Sequence, residues 1–170
     1  PALLAGTGND QTHLVIVATA DRGLCGGFNS SISRLAREHI YQLIRDGKTV
    51  KIVTVGRKGR DALKRLFGDK FVKSYEFTGI RQIGFAQAED ISSYVLSEFE
   101  AGSFDVATIF FSKFVNVVTQ IPTAQQLIPA SLPAAGDAAG VDLNGAVYDY
   151  EPDEAEILKD LLPRNLSIQI

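Results

Sequence analysis

Residues 14–31, LVIVATADRGLCGGFNSS, constrain the fold more than any other part of the chain. The opening LVIVA is apolar without alternation, the pattern of a strand buried on both faces. Asp21-Arg22 follows, then Gly23, Gly26 and Gly27. After them Asn29, Ser30 or Ser31 can cap a helix, because each side chain accepts a bond from an unpaired N–H. A buried strand that turns through glycines into a helix is where open α/β sheets hold anions, since the helix N-terminus presents free donors.

The remaining pattern repeats this unit. Residues 13–18 form the first strand, and the helix after it carries Ile32, Leu35, Ala36, Ile40, Leu43 and Ile44 on one face until Asp46-Gly47 ends it. Residues 50–55 form a second β-branched strand, and Gly56 to Gly59 turns into a short basic helix with Leu63, Leu66 and Phe67 inward. A third strand, residues 71–77, puts Phe71, Tyr75 and Phe77 on one side with Lys73 between them, and its charge suits a sheet edge. A third helix buries Ala88, Ile91, Tyr94, Val95 and Phe99. Residues 106–111 form a fourth strand. Ser112-Lys113 is too short for a parallel crossover, so residues 114–121 return antiparallel.

With right-handed crossovers, the order β-α-β-α-β-α-β-β predicts an α/β fold. It is a three-layer Rossmann-like sandwich, mostly parallel, with one antiparallel edge strand and a short C-terminal helical segment. Residues 1–121 make the sandwich core and residues 122–147 a Pro/Ala/Gly-rich loop. Residues 148–170 make a short extended piece and a helix, all within one domain.

Composition removes several function classes. A net charge of −3 argues against general nucleic-acid binding. No apolar run approaches the ~20 residues of a membrane-spanning helix. Cys25 is the only cysteine, so no disulfide forms within the chain. Methionine is absent and the first residue is Pro1, which predicts a segment of something longer.

The glycine turn lacks the partners a phosphate site needs. A P-loop requires Lys and then Ser or Thr after its last glycine, whereas Phe28-Asn29 follows Gly27. Gly23, Gly26 and Gly27 do not fit the G-x-G-x-x-G spacing of a dinucleotide site. The glycines then serve to let the backbone pass close to another element. Cys25 as a nucleophile would need a base. His13 starts a strand at the far end and His39 lies mid-helix, so Cys25 is read as a packing residue. Arg57, Lys58, Arg60, Lys64 and Arg65 read as a solvated helix face, and the acids of residues 149–160 as an exposed helix start. Tyr148 and Tyr150 point the same way on an extended segment, toward either the core or a partner. No catalytic residue, metal ligand or cofactor is assigned. The competing reading is a nucleotide- or flavin-binding Rossmann or flavodoxin-like domain using the turn after strand one.

Three motifs, DRGLCGGFN at residues 21–29, FFSKFVNVVTQIPTAQQLIP at 110–129 and YDYEPDEAEILKDLLPR at 148–164, resemble the gamma subunit of the ATP synthase in order and spacing. The resemblance implies a central-stalk rotor that couples c-ring rotation to conformational change in the alpha/beta head and is itself non-catalytic. In that family two long terminal helices form a coiled-coil shaft, and the α/β domain packs on its lower part. The resemblance further implies that Arg22 reaches a beta-subunit loop and that Tyr148, Tyr150 and Glu151 sit on the polar loops of the c-ring. The epsilon subunit (delta in mitochondria) packs on the same foot. The implied place is peripheral, on the cytoplasmic face of a bacterial inner membrane or the matrix face of a mitochondrial one, with no direct membrane insertion.

Overall fold

Five apolar residues in succession cannot lie at a wet sheet edge, and residues 14–18 occupy the centre of a five-stranded sheet ordered β3-β2-β1-β4-β5. The computed structural model describes residues 6–19, 27–76, 85–116 and 119–129. Along them run β1 (Thr12–Ala18), α1 (Gly27–Arg45), β2 (Thr49–Val55) and α2 (Arg57–Phe67). A 3₁₀ turn (Gly68–Lys70), β3 (Phe71–Tyr75), α3 (Phe85–Glu100), β4 (Val106–Asn116) and β5 (Thr119–Ile128) complete the order. β1 pairs parallel with both β2 and β4, β2 pairs parallel with β3, and only β4–β5 is antiparallel. This is the expected mostly parallel α/β sheet, with β3 at one edge and the reversed strand at the other.

Strand periodicity divides the core in two. Leu14, Ile16 and Ala18 face one side, where Ala88, Ile91, Val95 and Phe99 of α3 cover them. Val15 and Val17 face the other, beneath Ile32, Ala36, Ile40 and Leu43 of α1 and Leu63 and Phe67 of α2. The sheet thus has a helical layer on each face.

Helix α1 ends as Asp46-Gly47 predicts. Gly47 takes φ +78°, its N–H donates to the Ile44 carbonyl, and the Lys48 N–H donates to the Leu43 carbonyl. These paired bonds satisfy carbonyls that a helix end leaves orphaned. The end of α3 repeats the arrangement at Gly102, through bonds from Gly102 to Phe99 and from Ser103 to Glu98.

The structure departs from expectation in several places. Helix α1 begins at Gly27, so Asn29, Ser30 and Ser31 lie inside its first turns rather than capping it. Ser112 and Lys113 do not turn the chain: they stay in β4, opposite Pro122 and Ile121 of β5. An antiparallel arm with one wet face alternates polar and apolar residues, so a polar pair does not mark a turn. Strand β5 also runs to Ile128, past the expected limit at residue 121, and its edge position tolerates Pro122.

Strand β3 carries an irregularity against β2. Phe71 pairs with Ile52, but Lys73 pairs with Val53, leaving Val72 extra. A bulge of this kind reverses the facing of the residues beyond it. Phe71 therefore packs toward α1 and α2 while Tyr75 packs toward α3, not on one side together. Finally, Ile44 and Leu66, both expected inward, are exposed.

Candidate functional site

In a sheet of this order the chain crosses to opposite sides of β1, so the switch point lies at the C-terminal ends of β1 and β4. Pairing of β1 with β4 stops at Val17 opposite Phe110, while β4 continues to Asn116 paired only with β5. A two-stranded ribbon therefore projects beyond the strand ends.

Thr19, 2% exposed, closes β1 at this place. Its N–H donates to the Val55 carbonyl at 2.8 Å. Its Oγ1 accepts from the Gly59 N–H at 2.7 Å. Gly59 is the third residue of α2, whose N–H a capping side chain normally takes. The residue before α2 is Gly56, which has no side chain to offer and makes no side-chain cap. Thr19 supplies that oxygen from another strand.

The approach is close enough to fix both glycines. Gly56 has φ +99°, and a Cβ there would lie 2.0 Å from the Thr19 carbonyl oxygen. A Cβ on Gly59 would lie 3.0 Å from Thr19 Oγ1 and 3.3 Å from Val17 Cγ1. The Gly56 N–H is itself engaged by the Tyr75 carbonyl at 2.9 Å. The turn between β2 and α2 is thus packed by the protein's own chain. The GxxG spacing after β2 was the sequence signal for this latch, and sequence reasoning left it unused. Beyond the turn, Arg57, Lys64 and Arg65 lie on the solvent side of α2, and Arg60 is ion-paired with Glu76.

The opposite end of the sheet holds a histidine-linked cluster. His13 pairs with Asp10, and Lys48 lies 3.5 Å from the same carboxylate. The hydrogen bond from His13 and the charges of His13 and Lys48 hold Asp10 below the usual carboxylate range. A cavity of about 320 Å³ opens beside them, lined in part by Thr7, Asp10, His13, Gln126 and Pro129. It lies at the N-terminal ends of β1 and β4, away from the switch point. His39 packs its ring 5.1 Å from that of Phe110, and burial followed by the charge of His13 pushes its pKa down.

Asp105, just before β4, ties these strand starts together. Its carboxylate accepts from Thr7 Oγ1 at 2.8 Å, the Gln11 N–H at 3.1 Å and the Thr12 N–H at 2.9 Å. Among the described residues no three His, Cys, Asp or Glu side chains gather as a metal site.

Arg22, Tyr148, Tyr150 and Glu151, the contact residues implied by the resemblance, lie outside the described residues, as does Cys25. No helix among the described residues is long and apolar enough to cross a membrane.

A family model described as ATP synthase matches residues 1–170. The ATP synthase gamma chain of Parvibaculum lavamentivorans is 79% identical over 171 aligned residues, and that of Methylobacterium sp. strain 4-46 is 58% identical over 170. Both alignments take in 100% of this chain but only 58% and 57% of those relatives, so the chain spans a little over half their length. Among solved structures, a chain of the Tetrahymena thermophila mitochondrial ATP synthase central stalk and c-ring superposes with a TM-score of 0.62. That match covers 96% of this chain and 74% of the other at 22% identity. A chain of the Euglena gracilis mitochondrial ATP synthase gives 0.64 at 16% identity, covering 94% of this chain and 56% of its own. The two likenesses bear on the fold, and the family match bears on descent: this chain belongs to the ATP synthase family, among its gamma chains.

Proposed function

We propose that this chain is the α/β part of a central-stalk gamma subunit, carrying force between a c-ring and a catalytic alpha/beta head while performing no chemistry itself. The observation that carries the reading is the family match from end to end, with gamma chains as the near relatives. The packing supports it. A sheet covered on both faces is stiff, as protein interiors are, and a stiff body transmits torque without storing it. The second glycine turn, where a nucleotide-binding domain would offer free helix donors, is capped by Thr19.

In this reading Arg22 contacts a beta-subunit loop as a charge that senses rotor angle. Tyr148, Tyr150 and Glu151 form the foot on the c-ring, rigid aromatic anchors beside a carboxylate. The epsilon subunit, or mitochondrial delta, packs on the same foot. The chain then sits peripherally at the cytoplasmic face of a bacterial inner membrane or the matrix face of a mitochondrial one. It binds no nucleic acid and inserts nothing into the bilayer.

The test is a Tyr148→Ala, Tyr150→Ala double variant in the full-length subunit within the assembled synthase. ATP synthesis driven by a proton gradient should fall while ATP hydrolysis by the head persists. Unchanged coupling would remove the foot assignment. Saturable binding of ATP, ADP, FMN or NAD to the isolated subunit, abolished by Gly26→Val, would instead favour a Rossmann or flavodoxin-like binding domain.

A further inference from the structure

Thr19 is the last described residue before the glycine-rich stretch, and three different contacts fasten it. Its N–H holds Val55, its carbonyl oxygen lies where a Cβ on Gly56 would stand, and its hydroxyl caps Gly59. Staying in the sheet requires only the first of these, since backbone pairing alone defines the end of a strand. The hydroxyl does something further. It joins the end of β1 to the N-terminus of α2 across the sheet, in a site closed to water. A buried N–H that loses its acceptor is costly, so this joint has one strongly preferred geometry.

We infer that Thr19 is a positioning residue: by capping α2 from β1 it fixes the point from which residues 20–26, Arg22 among them, begin. The inference rests on the proposed role of Arg22 as a partner contact. A contact that reads rotor angle needs a fixed base, because a displacement of about 1 Å at such a base degrades a docked geometry. Valine at this position would keep the shape of the side chain and remove the acceptor. Serine would keep the acceptor.

The test uses the full-length subunit assembled with its partners. In Thr19→Val, amide exchange at Gly59 should rise about three- to tenfold. Exchange across residues 20–26 should rise with it, and ATP turnover by the complex should fall by a similar factor. Thr19→Ser should restore all three. Gly59→Ala, whose Cβ would press Thr19 Oγ1 from 3.0 Å, should reproduce the loss of turnover with the hydroxyl still present. If exchange rises at Gly59 alone, with residues 20–26 and turnover at wild-type values, Thr19 merely caps a helix and the inference fails. Arg22→Ala separates the two claims. Unaltered turnover in that variant removes the partner contact, and exchange over residues 20–26 then still decides on Thr19. Slow turnover in Arg22→Ala beside normal turnover in Thr19→Val removes the positioning role. Should Thr19→Val fail to assemble, normal turnover in Gly59→Ala is the overturning result.

Discussion

Gly56 and Gly102 share a left-handed backbone, at φ +99° and +78°, yet they stand in different surroundings. Around Gly102 a Cβ would meet nothing within 4 Å, whereas at Gly56 it would lie 2.0 Å from a backbone oxygen that cannot move aside. Gly102→Ala should therefore cost about 1 kcal/mol, the conformational penalty alone. Gly56→Ala adds a steric conflict with β1 and should cost about 3 kcal/mol or more. Urea unfolding of the two variants checks the ordering; equal losses would mean that Thr19 does not press on the turn. Sequence discloses part of this. A glycine closing a helix is readable from its place after the last apolar residue, as Asp46-Gly47 was. That Gly56 must yield space to Thr19 is not, because the two residues meet only once β1 and β2 are side by side.

At the scale of elements, the strands of the centre were legible and those of the edges less so. An uninterrupted run such as residues 14–18 has one stable place, inside a parallel sheet. Strand β3 was read correctly as an edge, but its facing was lost at Val72, because a single unpaired residue leaves no mark on alternation. The helices erred at their margins, where Ile44 and Leu66 continue an apolar stripe that the sheet is too narrow to cover. Of the candidate site, the latch and the Asp105 cluster were invisible for the same reason: both join residues far apart in the chain.

The bulge has a measurable consequence. It places Tyr75 against α3, beside Tyr94 at 6.4 Å, with Lys73 Nζ 5.5 Å from the Tyr75 ring. Burial first, then the neighbouring Tyr94 and Asp90, push the Tyr75 phenol up to about 12. Because this lies above the ordinary value near 10, the neutral phenol is favoured in the folded state. Its stabilisation is complete below pH ~10 and is lost as pH rises through the folded value. Absorbance titration should reveal one tyrosine ionising later than the others, and Tyr75→Phe should remove that step. A titration with no late step would place Tyr75 in water.

At the scale of the molecule, the two cores share one sheet and a common strap at its base. Backbone and side-chain donors from Thr12, Thr7 and Gln11 hold the Asp105 carboxyl below its usual range. A depressed carboxylate stabilises above its unfolded value near 4, and that contribution is lost as pH falls through the folded value. Asp10 adds a second group of the same sign. Asp105→Ala should cost about 1 kcal/mol at neutral pH, the low end for a charged acceptor because the carboxylate is reached by water. It should also flatten the acid limb of stability below pH ~4, measured by thermal melts across pH. An acid limb as steep as that of the unsubstituted chain would show that the strap does not hold the strand starts.

The one reversed strand matters beyond the sheet's tally of parallel and antiparallel pairs. Four parallel strands by themselves would leave the polypeptide at the end opposite to where it came in. β5 carries it back, so that Pro129 lies against Gly6, with a Cβ on that glycine only 3.1 Å from the proline ring. A body whose two threads meet at one spot can be spliced into a longer filament as a side lobe, leaving the threads adjacent and free to run on together. Any twist applied to those threads would enter and leave the lobe through the same narrow waist.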